Sequence, residues 1–253
     1  KDAYIQGNVK VGDTSGSTYF QLPTTIGTSG QILRVPSSGN TLEWGTGTGI
    51  AHYASGNDVL VGHSTSPVSS DDYNTGLGVD VLDDLNGGAK NTSVGYLSGT
   101  AVTSGDANTF VGAQAGGAIT TASEHVAVGY QALMTEDTST SPSTAIGSYA
   151  LKAQDGGLNN TAVGYNAGAA ITSGDYNVLI GHQAGDALDT QNNNTAVGYR
   201  ALSAETSDGS NTAIGYQALT VQNGGRFNVA LGVMSGYQVS TGDSNVFIGT
   251  ESG

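Results

Sequence analysis

The sequence predicts an all-β protein, in which stacked 17-residue coils form a parallel β-roll, taken as left-handed and assembled as a parallel homotrimeric fibre. Three observations predict it. In 253 residues there are 40 glycines, 4 prolines, no cysteine and only 11% charged residues, a chain rich in turns and poor in strong helix formers. Glycines recur at Gly62, Gly78, Gly95, Gly112, Gly129, Gly147, Gly164, Gly181, Gly198, Gly215, Gly232 and Gly249, in steps of 16, 17, 17, 17, 18 and then 17 throughout. A period held over twelve copies means that each occupies an equivalent place in a stack, which also excludes disorder. Finally, every copy carries Val or Thr three residues before its glycine and Val, Ile or Leu one residue before it, the composition of a short strand.

Two units follow in chain order. Residues 1–50 form an N-terminal module whose clearest element is a hairpin: Gln31 to Val35, a Ser-Gly-Asn turn, then Thr41 to Trp44, with Gly45-Thr46-Gly47-Thr48-Gly49 as a hinge. Residues 51–253 form the twelve-coil roll. Within each coil the pre-glycine residue is expected to make the buried core column: Val61, Leu77, Val94, Val111, Val128, Ile146, Val163, Ile180, Val197, Ile214, Leu231 and Ile248. The residue between the two β-branched positions, such as Ala162, Phe110 or Leu179, points to the other face and is mostly apolar too. A strand apolar on both sides needs a second partner surface, hence the expected trimer.

Four residues before the glycine, nine of twelve copies have Asn (Asn74, Asn91, Asn108, Asn160, Asn177, Asn194, Asn211, Asn228 and Asn245). Asn tolerates the left-handed region and caps its own turn, so a stacked corner is the favoured reading over ligand binding. Four residues after the glycine, Leu and Gly alternate in pairs. Where the residue is Gly, an apolar side chain follows three places later (Val102, Ile119, Ile171, Leu188, Val239); where it is Leu, that place is usually polar (Glu136, Gln154, Glu205, Gln222). Each coil therefore inserts about one large side chain from its return path, the limit set by dense packing. The pairs imply a superperiod of 68 residues, kept also by Gly87-Gly88, Gly156-Gly157 and Gly224-Gly225 and by Ser104-Gly105-Asp106, Ser173-Gly174-Asp175 and Thr241-Gly242-Asp243.

The run Asn160-Thr161-Ala162-Val163-Gly164-Tyr165-Asn166-Ala167-Gly168 and its relatives resemble the repeats of bacteriophage tail fibres and are similar to coils in the head domains of trimeric autotransporter adhesins. Residues 22–33 and 39–45 look like a module of phage fibres and other virion appendages. The resemblance implies a structural and adhesive segment of a tail fibre, extracellular on the virion, bound to itself and to other tail proteins, and presenting regions that contact a host cell-surface glycan or protein receptor. A bacterial trimeric surface adhesin on the outer cell surface is the alternative, and a polysaccharide-degrading tailspike a third. The chain lacks an initiator Met and stops inside a repeat, and so reads as part of a longer protein.

Chemistry is sparse. With no cysteine there is no thiol nucleophile or zinc-thiolate site, and a net charge of -14 argues against nucleic acid and anionic membranes as partners. No apolar run reaches the length of a membrane span, so no membrane insertion is expected. His52, His63, His125 and His182 are dispersed without a His-x-His pair, and no metal, cofactor or catalytic residue is assigned. The acidic pairs lack the convergence of oxygens that calcium requires, and nothing beyond the presence of carboxylates supports glycoside hydrolysis. Two places break the repeat and are the candidates for receptor contact: Asp71, Asp72 and Tyr73 in the 16-residue step, and Glu136 and Asp137 in the 18-residue step, with tolerated insertion as the competing reading. Tyr96, Tyr130, Tyr165, Tyr199 and Tyr216 share the position after the glycine, where a sugar-binding strip competes with simple cover for the roll.

Overall fold

The computed structural model describes residues 73–135, 141–206 and 209–253, together with the backbone of five short strands that precede them. Strands β1 (Asn8–Lys10) and β2 (Tyr19–Gln21) pair antiparallel, as do β3 (Ile32–Arg34) and β4 (Glu43–Gly45), with Leu33 opposite Trp44. The hinge at 46–49 lies outside the described residues.

From β5 (Val59–Val61) onward every coil contributes one three-residue strand: β6 (Thr75–Leu77), β7 (Thr92–Val94), β8 (Thr109–Val111), β9 (Val126–Val128), β10 (Thr144–Ile146), β11 (Thr161–Val163), β12 (Val178–Ile180), β13 (Thr195–Val197), β14 (Thr212–Ile214), β15 (Val229–Leu231) and β16 (Val246–Ile248). They form one twelve-stranded parallel sheet in sequence order, in which Thr161 pairs with Val178 and Val178 with Thr195. The chain is thus a β-solenoid of about 17 residues per turn, as the glycine period requires, with β6 to β16 lying wholly among the described residues. The return path makes no second sheet there; it is a series of turns whose amides bond carbonyls of the adjacent coil, as Gly168 N–H to Ala184 and Leu151 N–H to Ala167.

The sequence expectation put the wrong side of the strand inside. The core column is the middle residue of each strand: Phe110, Ala127, Ala145, Ala162, Leu179, Ala196, Ala213 and Ala230 are fully buried. The pre-glycine residues face outward, with Leu77 52% exposed, Val111 37%, Ile146 39%, Ile180 40%, Ile214 37%, Leu231 46% and Ile248 67%, and Val94, Val128, Val163 and Val197 partly exposed. Val61 lies in a strand whose side chains are not described. The reason is width. Inside the coil the mid-strand residue shares the space with a second small residue, such as Ala132, Ala150, Ala167, Ala184 or Ala201, and with one large side chain from the return path, so two successive walls of Val and Ile would overfill it.

The compensation along the return path is observed. Leu82, Leu133, Leu151, Leu202 and Leu219 are fully buried, as are Val102, Ile119, Ile171 and Leu188 in the coils that carry Gly instead. The glycine pairs exist because a large mid-strand residue sits between them. A Cβ at Gly116 would lie 2.5 Å from the Phe110 ring, one at Gly168 or Gly185 2.6 or 2.7 Å from Leu179, and one at Gly253 2.5 Å from Phe247. Phe110, Leu179 and Phe247 therefore mark the superperiod from inside. On the outside the same beat is kept by turn stacking: a Cβ at Gly88, Gly157 or Gly225 would meet the carbonyl oxygen of Gly105, Gly174 or Gly242 at 2.5, 2.7 or 2.2 Å. The aspartates of those turns cap the coil before them, Asp106 accepting from the Ala89 amide at 2.7 Å, Asp175 from Leu158 at 2.8 Å and Asp243 from Arg226 at 3.0 Å.

The repeat glycines are fixed for the same reason. Gly164 has φ +138° and a Cβ there would lie 2.4 Å from the carbonyl oxygen of Gly181, so this backbone-on-backbone contact admits no side chain.

Candidate functional site

Three sets of residues could carry function, and the structure treats each differently. The first is the Asn corner. Its asparagines form a buried ladder: the Oδ1 of Asn160 accepts from the backbone and side-chain nitrogens of Asn177 at 2.9 and 3.1 Å, and Asn177 does the same for Asn194 at 3.0 and 3.1 Å. Seven of the nine also donate from Nδ2 across the corner, as Asn160 to the Gly174 carbonyl and Asn177 to that of Gln191. The corner reading holds, with one correction: the left-handed residue is the one before the asparagine, as at Asn159 (φ 55°), Tyr176 (57°) and Asn193 (60°). The polar residues of the return path end here too. Gln154 and Gln222 are fully buried and donate to the carbonyls of Gly157 and Gly225, and the buried Glu205 carboxylate accepts from the Gly224 amide. These bonds tie each coil to the next, which is the stacked corner expected from the sequence.

At the fifth and sixth coils, before β9 and β10, the ladder is carried by His125 and Ser143 instead. Asn108 Oδ1 accepts from the His125 amide, His125 Nδ1 accepts from the Ser143 amide at 3.1 Å, and Ser143 Oγ accepts from Asn160 N–H and from Gln154 Nε2. The His125 ring is fully buried, and because Nδ1 is an acceptor the proton sits on Nε2, which has no partner. Burial lowers the pKa to about 4, against a smaller raising effect of the bond with Ser143, so the ring is neutral at pH 7. Sequence reading missed this residue; its signal was that His125 stands at an Asn position of the repeat.

The second set is aromatic. Tyr130, Tyr149, Tyr165, His182, Tyr199 and Tyr216 form a continuous file along one edge of the solenoid, with ring centroids 5.1 to 5.9 Å apart. Tyr130, Tyr149 and Tyr165 meet edge to face, whereas Tyr165, His182, Tyr199 and Tyr216 stack with interplanar angles of 12 to 27°. Tyr96 stands apart, separated by Ala113. Stacked rings spend their faces on one another and show edges to solvent, which suits cover for the roll better than a sugar strip, since a pyranose needs a free ring face. Beside this file, burial raises the pKa of Asp186 despite the nearby Arg200 guanidinium.

The third set comprises the breaks in the repeat. Tyr73 is 60% exposed with φ 63°, while Asp71, Asp72, Glu136 and Asp137 lie outside the described residues, as do His52 and His63. Among the described residues no group of three or more His, Asp or Glu side chains is placed to hold a metal, and no helix is long and apolar enough to cross a membrane.

A scan against protein-family models, a search of curated proteins and a search of solved structures each find no match for this chain.

Proposed function

We propose that this chain is a structural and adhesive segment of a bacteriophage tail fibre, a stiff homotrimeric rod that carries receptor-contacting regions away from the virion. One observation supports the reading above the others: the outer face of the sheet presents the apolar pre-glycine column and a second column of Thr and Val, uncharged and unbroken from Thr75 to Ile248. Contiguous apolar surface on this scale marks an interaction site. Two further copies are its natural occupants, because a strip repeated every coil is matched in length and period by the same strip, and an uncharged face lets chains of net charge -14 meet. Stiffness follows from the sheet, in which every coil is bonded to both neighbours along a column of roughly 58 Å at about 4.8 Å per coil. The same features suit a bacterial surface adhesin; the flanking sequence separates the two, a tail-attachment segment marking the fibre and a membrane anchor the adhesin. Light scattering tests the assembly: a mass three times the 25.3 kDa of the chain is expected, and a folded monomer would sink the reading.

A further inference from the structure

Three successive coils place Asn193, Ser210 and Phe227 at the same left-handed corner, with φ 60°, 63° and 59°. That conformation is costly for a bulky side chain, and at the return-path leucines the fold offsets the cost by burial: Leu133, Leu151, Leu202 and Leu219 are also left-handed, and all are fully buried. Phe227 has no such return, and neither do Tyr73 and Tyr176 at the same corner, 60% and 55% exposed with φ 63° and 57°. Phe227 is 58% exposed, at a corner where its neighbours are Ser210 and Ser244. Beside it lies an open cavity of about 300 Å³, at the lower end of the range for ligand pockets, lined by Thr190, Asn192, Asn193, Gly209, Ser210, Arg226 and Phe227 among others. The small side chain of Ser210 stands between the corners of Asn193 and Phe227, about 10 Å apart across two coil steps, while Gly209 packs its backbone against that of Asn192 with no room for a side chain.

We propose that this corner is a binding site for a neutral saccharide, with Phe227 as the platform on which one pyranose face lies. A pyranose has an apolar face of C–H groups and a rim of hydroxyls, and the cavity offers the complement of both. Among the described residues the Thr190 and Ser210 hydroxyls and the Asn193 carboxamide have no hydrogen-bond partner and are placed to meet sugar hydroxyls. Asn192 contributes its Nδ2, its Oδ1 being engaged with the Asp175 amide. The ligand is neutral because Arg226, the one cation among the described lining residues, is matched by Asp243 at 3.7 Å and the chain as a whole repels anions. Unlike the stacked file of tyrosines, Phe227 has no ring partner among the described residues and is 58% exposed. The assignment rests on the attachment reading only for its biological setting, since it makes its own prediction for the isolated protein.

Saturation-transfer NMR on the purified full chain tests it, with the methyl β-glycosides of glucose, galactose and N-acetylglucosamine as neutral probes and sialic acid as the acidic one. Transfer to at least one neutral glycoside is expected, weakened about tenfold or more in Phe227→Ser, retained in Phe227→Tyr, and retained in Tyr176→Ser, which removes an exposed aromatic from the same corner three coils away. Phe227→Ser repeats the residue of the neighbouring coils and should melt no lower than the wild type. No transfer to any neutral probe, transfer to sialic acid alone, or transfer that survives Phe227→Ser would each overturn the site. None of these outcomes bears on the mass in solution, so the fibre reading stands or falls separately.

Discussion

At the scale of single residues, stacking makes some positions far less tolerant than their exposure suggests. Gly164 is partly exposed, yet Gly164→Ala places a methyl 2.4 Å from a backbone oxygen in a φ region open only to glycine. A loss of about 3 kcal/mol or more is expected in urea unfolding, and a variant as stable as the wild type would contradict the contact. His125 is the opposite case, a residue that fits but imperfectly. Its folded pKa of about 4 lies below the unfolded 6.5, so the unfolded chain binds more protons between these values. Stability is therefore full above about pH 6.5 and falls as the pH drops towards 4, by about 2 to 3 kcal/mol at pH 4.5 from this residue. His125→Asn restores the ladder residue of nine other coils and removes the titration. The variant should lose less stability than the wild type between pH 7.5 and 4.5, and parallel denaturation midpoints across that window would refute the account.

At the scale of the coil, the two packing types are alternative solutions to one volume. A Leu on the return path goes with a small mid-strand residue, and a large mid-strand residue goes with Gly on the return path on both sides, as Gly99 and Gly116 flank Phe110. Phe110→Ala should cost about 3 to 5 kcal/mol by opening a cavity. Gly116→Leu should also destabilise, although the backbone already has the φ of 58° at which the native leucines sit, because the Phe110 ring occupies the space. Combined, the two changes should cost clearly less than their sum, since the new leucine enters the space that the ring vacates. Additive losses in a double-mutant cycle would show that the two positions do not share that volume.

At the scale of the molecule, the outward column decides between a lone solenoid and a bundle. Ile180 and Ile214 are 40% and 37% exposed in the single chain, so Ile180→Asp with Ile214→Asp leaves the coil interior untouched. The variant should keep its β-sheet circular dichroism and fall to the mass of one chain, because carboxylates would be buried unpaired between copies. A trimer unchanged by both substitutions would place the interface elsewhere.

The period alone dictated the solenoid, its parallel register and the twelve strands, because any residue that recurs every 17 positions must stack on itself, and the Leu-for-Gly exchange exposed the volume limit of each coil. Which face of the strand turns inward was beyond the periodicity, since a strand apolar at every position has no marked side; only the narrow lumen, filled by Ala127, Ala145 and Ala162 with a leucine opposite, decided it. The same holds for the candidate sites. The tyrosines sharing one repeat position were legible as a file, but whether a ring face is free depends on the angle between neighbours, and Phe227 was not singled out because its repeat position varies from coil to coil, as Tyr176, Asn193, Ser210 and Ser244 show. Its meaning comes from a left-handed corner, a small side chain at Ser210 and a cavity between coils, all of which are set by chain geometry in three dimensions rather than by residue order.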